Sequence, residues 1–136
     1  MLGLRPMPPG SLERALAVLG PLEGRIMREA WTGGVGREFV VQDMRDRMPE
    51  LAYTTVMSTL SRLASKDLLS AEQVRGQRAY AYSVAERPAD FLGRFGSTQV
   101  DDLVDRFGDA ALAAFARRLQ RLSPAQRERL RRLADR

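Results

Sequence analysis

Apolar residues recur at three- and four-residue spacing through much of the first half of the chain. This spacing predicts helices over about 21–31, 41–48 and 53–66, each with a single apolar stripe. Pro21 suits the first position of a helix, and Pro49 prevents the second helix from continuing. The stripes consist of Leu22, Ile26 and Ala30 in the first helix, Val41, Met44 and Met48 in the second, and Val56, Leu60 and Leu63 in the third.

The period of the pattern shortens to two residues after residue 68. Residues 69–74 and 78–84 form two short runs around Arg75-Gly76-Gln77, and tyrosine alternates with alanine in the second run. This alternation predicts a β-hairpin, and residues 38–40 are a further β-prone piece that can pair as an edge strand. Helices followed by a hairpin predict a mainly α fold with a small β-hairpin wing, that is, a winged helix-turn-helix.

After Pro88 the pattern becomes wholly helical. We predict three short helices with a break at Gly96-Ser97, then a last helix that begins at the capping sequence Ser123-Pro124-Ala125-Gln126. Their apolar stripes favour a symmetric dimer, while packing against the N-terminal domain remains an alternative. The predicted interface residues are Phe91, Leu92, Phe95, Val100, Leu103, Val104, Phe107, Leu112, Phe115 and Leu119.

These patterns predict three parts of the chain. They are a flexible leader at residues 1–18, a winged-helix DNA-binding domain at 19–87 and a helical dimerisation region at 88–136. The leader is rich in proline and glycine, although a helical turn or two fits within 11–19. No apolar run has the length of a signal peptide or a membrane span, so we expect a cytoplasmic protein without membrane insertion.

The composition removes several kinds of chemistry. The 136 residues include no Cys and no His, which excludes Cys/His zinc sites, a Cys nucleophile and a Ser-His-Asp triad. The glycines at 33–36 lack the Lys-Ser/Thr of a phosphate-binding loop. We therefore predict that the protein is not an enzyme and holds no metal or cofactor, with carboxylate-only catalysis as the remaining catalytic alternative.

Charge adds a weak indication of nucleic-acid binding. The net charge is +5, the pI is about 10.6, and Lys66 is the only lysine among 22 basic residues. Arginine suits phosphates and guanine edges, but a GC-rich genome explains the same usage.

One side of the third predicted helix carries small hydroxyls and a single charge, where a solvated face is usually dense in Glu and Lys. Its residues are Thr55, Ser58, Thr59 and Arg62. Such a face can enter a DNA groove and hydrogen-bond to phosphates and base edges. The alternative is an amphipathic core helix with a Ser/Thr-rich surface.

Four segments in order resemble the penicillinase and methicillin-resistance repressors, the BlaI/MecI/CopY family. They are LGPLEGRIMREAW (19–31), LAYTTVMSTLSRLASKDLL (51–69), RAYAYSV (78–84) and FGSTQVDDLVDRF (95–107). The resemblance implies a transcriptional repressor that binds a double-stranded dyad operator as a homodimer. It also implies release by a membrane-bound sensor protease or, in one branch, by metal at a cysteine motif.

The resemblance places DNA contacts on the third helix and on the wing. The predicted DNA-binding residues are Tyr53, Thr54, Thr55, Ser58, Thr59 and Arg62 on the helix and Arg75, Gln77 and Arg78 on the wing. The alternative interpretation of each wing arginine is that it is a solvated turn residue. The alternative interpretation of Tyr53 is that it packs at the start of the helix.

The chain departs from the family pattern at three points. Val40 replaces the threonine that usually caps the second helix, Asp67 replaces a glycine after the third, and the C-terminal tail has no cysteine for copper or zinc sensing. Two other functions remain open. One is a ligand-responsive winged-helix regulator of the multiple-antibiotic-resistance (MarR) type, which needs an enclosed apolar pocket, and the other is a protein–protein adaptor.

Overall fold

The computed structural model describes residues 10–135, so the predicted leader up to residue 9 lies outside it. The chain divides between Arg94 and Phe95 into two compact units. The helices are α1 (Ser11–Ala17), α2 (Pro21–Trp31), α3 (Val41–Arg47), α4 (Tyr53–Ser65), α5 (Pro88–Phe107), α6 (Asp109–Gln120) and α7 (Pro124–Ala134). The strands are β1 (Glu38–Phe39), β2 (Leu69–Gln73) and β3 (Tyr80–Val84). Within the described range, no helix combines the length and the apolar character needed to cross a membrane.

The predicted mainly α fold with a hairpin wing is confirmed. Helix α2 has the predicted limits, α3 and α4 each end one residue early, and β2 and β3 form the hairpin. The three strands form an antiparallel sheet in the order β1-β3-β2, with Phe39 opposite Tyr82 and Leu69 opposite Val84. The predicted edge strand therefore exists, and it lies beside β3.

The core of the first unit forms where the predicted apolar stripes meet the sheet. The side chains of Phe39 and Tyr82 are buried and their rings stack 6.1 Å apart. The fully buried apolar residues of α2, α3 and α4 are Ile26, Met27, Met44, Val56, Leu60 and Leu63. At about 25 cal/mol per Å² of apolar surface, this burial is the main stabilising contribution to the unit.

The predicted leader is helical from Ser11 onward, in the range where the sequence allowed a helical turn or two. Residues Ser11–Ala17 form α1, in which Ser11 and Ala15 are buried. The guanidinium of Arg28 on α2 donates hydrogen bonds of 3.0 Å to both carboxylate oxygens of Glu13. These hydrogen bonds lower the pKa of Glu13. Seven residues are too short to show a periodic pattern, so the helix depends on these tertiary contacts.

The first turn of α5 packs in the first unit. One residue predicted for the dimer interface is therefore part of the core of this unit. The indole N–H of Trp31 donates to the carbonyl oxygen of Glu86 at 2.9 Å, and its ring lies 6.1 Å from that of Phe91. Phe91 is only 2% exposed, so its ring is already covered within the monomer and is not free for the predicted dimer interface. Leu92 beside it is half-buried.

The predicted break at Gly96-Ser97 is wrong, because α5 runs without interruption from Pro88 to Phe107. A glycine inside a helix costs about 1 kcal/mol relative to alanine, which is too little to end a helix of 20 residues. The helix ends instead at Gly108, whose φ of 57° lies in the left-handed region. The predicted helix start at Ser123 is confirmed, since its hydroxyl accepts from the Gln126 amide at 3.2 Å.

The second unit leaves most of its large apolar side chains exposed. Among its described residues only Ala111 is buried. Phe107 and Leu112 are each more than half exposed, and an open apolar groove of about 310 Å³ lies beside Phe107. The other exposed large apolar residues of this unit are Val100, Leu103, Leu119, Leu130 and Leu133.

Candidate nucleic-acid interface

Helix α4 has a row of hydroxyls directly opposite its buried stripe. Its buried residues are Val56, Thr59, Leu60 and Leu63. At 100° per residue, the direction opposite their mean is occupied by residues 54, 58, 61 and 65, all of which are exposed. These are Thr54, Ser58, Ser61 and Ser65, and together we call them the hydroxyl row. The row offers donors and acceptors with little bulk, which suits close approach to a groove.

The structure changes two members of the predicted DNA face. Thr59 is fully buried, and its hydroxyl donates to the Thr55 carbonyl at 2.8 Å, so it does not reach the surface. Thr55 itself is half-buried. The predicted face was rotated toward one side of the apolar stripe, whereas the true surface lies directly opposite it. A helical wheel drawn from the centre of the stripe would have found Ser61 and Ser65, which sequence reasoning missed.

Arg62 lies at the edge of the hydroxyl row and is held by an acidic side chain from another helix. Its Nε lies 3.7 Å from Glu23 of α2, and its Nη2 donates to the Thr59 hydroxyl at 3.3 Å. Lys66 Nζ donates to both carboxylate oxygens of Glu23, at 3.0 and 3.1 Å. The Glu23 side chain is 10% exposed and the two cations are more than half exposed. One carboxylate therefore faces two cations that remain accessible to solvent.

The wing presents cations without such a partner. Residues Arg75, Gln77 and Arg78 are all exposed at the tip of the hairpin. Gly76 has a φ of 77°, which only glycine adopts at little cost, and it allows the tight turn there. In the described part of the chain, no carboxylate forms an ion pair with Arg75 or Arg78.

Two further exposed side chains of α4 flank the hydroxyl row. Tyr53 at the helix start is 45% exposed, which does not fit the packing role given as its alternative. Met57 is 43% exposed and was not predicted as a site residue. An exposed methionine can contact the methyl group of thymine, as other apolar side chains do. Tyr82 of β3 is buried, and burial raises its pKa.

A cleft in the first unit bears on the ligand-responsive alternative. It has a volume of about 790 Å³, is open to solvent, and is lined in part by Trp31, Arg37 and Arg87. The ligand-responsive alternative calls for an enclosed apolar pocket, and this open cleft with two exposed arginines does not match that description. In the described residues, no cluster of acidic side chains is arranged to hold a metal ion.

The geometry defines a class of protein. Helices α3 and α4 form a helix-turn-helix, β2 and β3 form a wing, and the outward face of α4 carries the hydroxyl row. This is the winged helix-turn-helix class of DNA-binding regulators.

Within that class, the chain belongs to the penicillinase repressor family, whose sequence model matches residues 19–136. The protein is therefore a DNA-binding transcriptional repressor, of a family that is not enzymatic. The resemblance drawn from the four sequence segments is thereby confirmed.

A solved structure of BpsR from Bordetella bronchiseptica, whose DNA binding is regulated by 6-hydroxynicotinic acid, is 14% identical. The match covers 92% of this chain and 90% of the BpsR chain with a TM-score of 0.45, and at that score the likeness carries no argument. No curated protein matches the chain significantly.

Proposed function

We propose that the protein represses transcription as a homodimer that places two α4 helices in successive major grooves of a dyad operator. The observation that carries this proposal is the hydroxyl row, exposed along α4 directly opposite the buried stripe. A solvated helix face of the same length would normally carry several charges, and this row carries none. We therefore assign Thr54 and Ser58, in the first half of α4, to base edges and phosphates.

Arg62 is the charged residue in this assignment. Its guanidinium is exposed beside the hydroxyl row, and a bidentate contact with a guanine or a phosphate would replace its 3.7 Å approach to Glu23. Among residues 10–135, no carboxylate forms an ion pair with the two wing arginines, so these side chains would give up no ion pair on binding phosphate. We assign Arg75 and Arg78, with Gln77 between them, to the DNA backbone or the adjacent minor groove.

The dimer is proposed from the exposed apolar surface of the second unit. Phe107 is 54% exposed and Leu112 is 52% exposed, which is costly for a unit this small unless a partner covers them. A second copy of the chain is the occupant that the family resemblance implies, and a two-fold axis matches a dyad operator. Of the predicted interface residues, Val104, Phe95 and Phe115 are half-buried, and Val100, Leu103 and Leu119 are exposed.

Loss of the dimer link is a physical route to induction. Two half-site contacts joined in one molecule bind more tightly than either alone, by factors of about 10² to 10⁴. A cut that removes the second unit would therefore release the operator. This is why a membrane-bound sensor protease, the partner that the resemblance implies, remains part of the proposal.

The decisive experiment selects bound sequences from a random pool of DNA duplexes and measures affinity for the selected site. Replacing Arg62 by alanine should weaken operator binding by about 1–3 kcal/mol while leaving the thermal unfolding temperature nearly unchanged. Arg14→Ala makes the same charge change on α1 and should leave affinity within twofold. If no sequence is enriched and binding shows no steep salt dependence, the adaptor function replaces the repressor function.

A further inference from the structure

The positive charge of this protein is concentrated at its C-terminal end. Residues 117–136 contain eight arginines against one glutamate and one aspartate, a net charge of +6. The whole chain carries +5. Residues 95–116 carry −3, and the first unit, residues 1–94, carries +2 from 13 cations and 11 carboxylates. The proposed DNA-reading unit therefore has only a small excess of cations with which to attract a polyanion.

The arginines of this segment that the structure describes are exposed and mostly lack carboxylate partners. Arg131 and Arg132 share Glu128, at 2.9 and 3.9 Å, and Arg127 donates to backbone carbonyls of residues 120 and 122. No ion pair in the described part of the chain involves the others. These are Arg117, Arg118 and Arg121 at the end of α6 and after it, and Arg129 on α7. One glutamate thus offsets a small part of the charge.

We propose that residues 117–135, which we call the arginine segment, are a second nucleic-acid contact that binds the phosphate backbone without reading sequence. The inference rests on the proposed function, because the segment adds nonspecific attraction to a winged helix whose own net charge is small. Guanidinium groups spaced along a helix neutralise phosphates and release condensed counterions, which is the main source of nonspecific DNA affinity. As a winged helix-turn-helix protein, the chain also contacts DNA through its first unit. The arginine segment would therefore meet the same DNA at a high local concentration.

An anionic membrane is the other phosphate-bearing surface that arginines can bind. The residues of the arginine segment favour DNA. A helix that lies in a membrane interface needs a broad apolar face, commonly with Trp or Phe. Helix α7 offers only Leu130 and Leu133 as large apolar side chains, and residues 116–136 contain no aromatic residue. The segment therefore has the charge for a phosphate surface without the apolar anchor for a bilayer.

The test measures how DNA affinity depends on salt, using the full chain and a long duplex without an operator site. In R127Q/R129Q/R131Q/R132Q the slope of log K against log[salt] should fall by about 0.9 for each lost phosphate contact. A variant with lysine at the same four positions keeps the charge and should keep the slope. R117Q/R118Q provides a second variant, and sedimentation of every variant shows whether the assembly is unchanged.

The outcomes separate this inference from the proposed function. If R75Q/R78Q lowers the slope but neither arginine-segment variant does, the winged helix binds DNA and the arginine segment does not. If the wild-type protein binds no DNA, both proposals fail. Vesicles with one third phosphatidylserine form the last arm: binding there that depends on the arginine segment, with the DNA slope unchanged, would overturn the inference in favour of a membrane contact.

Discussion

Asp67 adopts a backbone conformation that usually belongs to glycine. Its φ is 66°, and it follows the last turn of α4. The amide of Leu68 donates to the Leu63 carbonyl at 3.0 Å, and the amide of Asp67 donates to that of Ala64 at 3.1 Å. This is a Schellman motif with aspartate at the left-handed position. Asp67 stands where the family pattern has glycine, and its left-handed conformation is the one that favours glycine.

Replacing Asp67 by glycine should stabilise the protein by about 1 kcal/mol, because the left-handed conformation costs an L-residue about that much. Thermal unfolding should show a rise of a few degrees. Asp67→Asn is the matched control, since it removes the charge while keeping a residue that tolerates this conformation. An equal rise in both variants would assign the effect to charge.

Glu23 offsets part of the positive charge at the end of α4. It lies beside Arg62 and forms hydrogen bonds with Lys66, so the charges of these two cations are partly neutralised. We expect this arrangement to lower nonspecific affinity. Because it also holds Arg62 beside the hydroxyl row, we propose that Glu23 is a positioning residue for operator recognition.

Glu23→Gln should therefore increase binding to non-operator duplexes and steepen the salt slope by about one unit, while the preference for operator over other DNA falls. Affinities for both duplexes over a salt series measure this. Glu13→Gln, which breaks the exposed pair with Arg28, is the matched control and should change neither slope. A uniform loss of binding with a lower unfolding temperature would indicate a structural role only.

Helix α5 shows how little a single glycine limits a long helix. Gly93 and Gly96 both lie within it, and open space surrounds the position of a Cβ at each. The first turn of α5 is held by the Trp31 hydrogen bond to Glu86 and by the buried ring of Phe91. Arg94 adds a hydrogen bond to the carboxylate of Glu86, which raises the pKa of Arg94. Tertiary contacts thus fix the start of this helix, and the cost of the two glycines inside it is too small to end it.

Gly93→Ala should raise stability by about 0.5–1 kcal/mol, because it removes backbone freedom from the unfolded chain and meets no neighbouring atom. Chemical denaturation of the full-length protein measures the change. The same substitution at Gly76, whose φ is 77°, should instead lower stability. A loss of stability at Gly93 would mean that a partner molecule packs against that position.

The whole molecule divides its tasks between two units. The first unit has a buried core and carries the proposed operator contacts, whereas the second exposes its apolar side chains and carries most of the arginine excess. A unit with so little buried surface is poorly stabilised alone, and dimerisation would supply the missing burial.

A chain that ends at Arg94 should fold as a monomer and bind the operator about 10²-fold or more weakly than the full-length protein. Sedimentation and DNA titration of both forms measure this. The truncated chain keeps Phe91 and Arg94 because both belong to the first unit. A chain that ended before Phe91 would lose the ring that lies against Trp31. Full-length protein that remains monomeric at micromolar concentration and binds its operator tightly would contradict the dimer proposal.

The sequence by itself determined the features that depend on neighbours along the chain. Periodicity gave α2, α3, α4 and the hairpin within a residue or two, because the apolar stripe of a helix and the alternation of a strand are local patterns. The start of α7 was equally readable, since Ser123 and Gln126 satisfy each other's backbone amides across three residues.

Only the tertiary structure decided which contacts join distant segments. Thr59 is buried because the core of the first unit covers that side of α4, and Phe91 is covered because Trp31, 60 residues earlier, lies against it. Glu23 meets Lys66 only because α2 packs beside α4. No local pattern encodes such pairings, since each depends on how packed elements bring remote residues together. The side of α4 that faces outward was therefore settled by packing, while its hydroxyl-rich character was already written in the sequence.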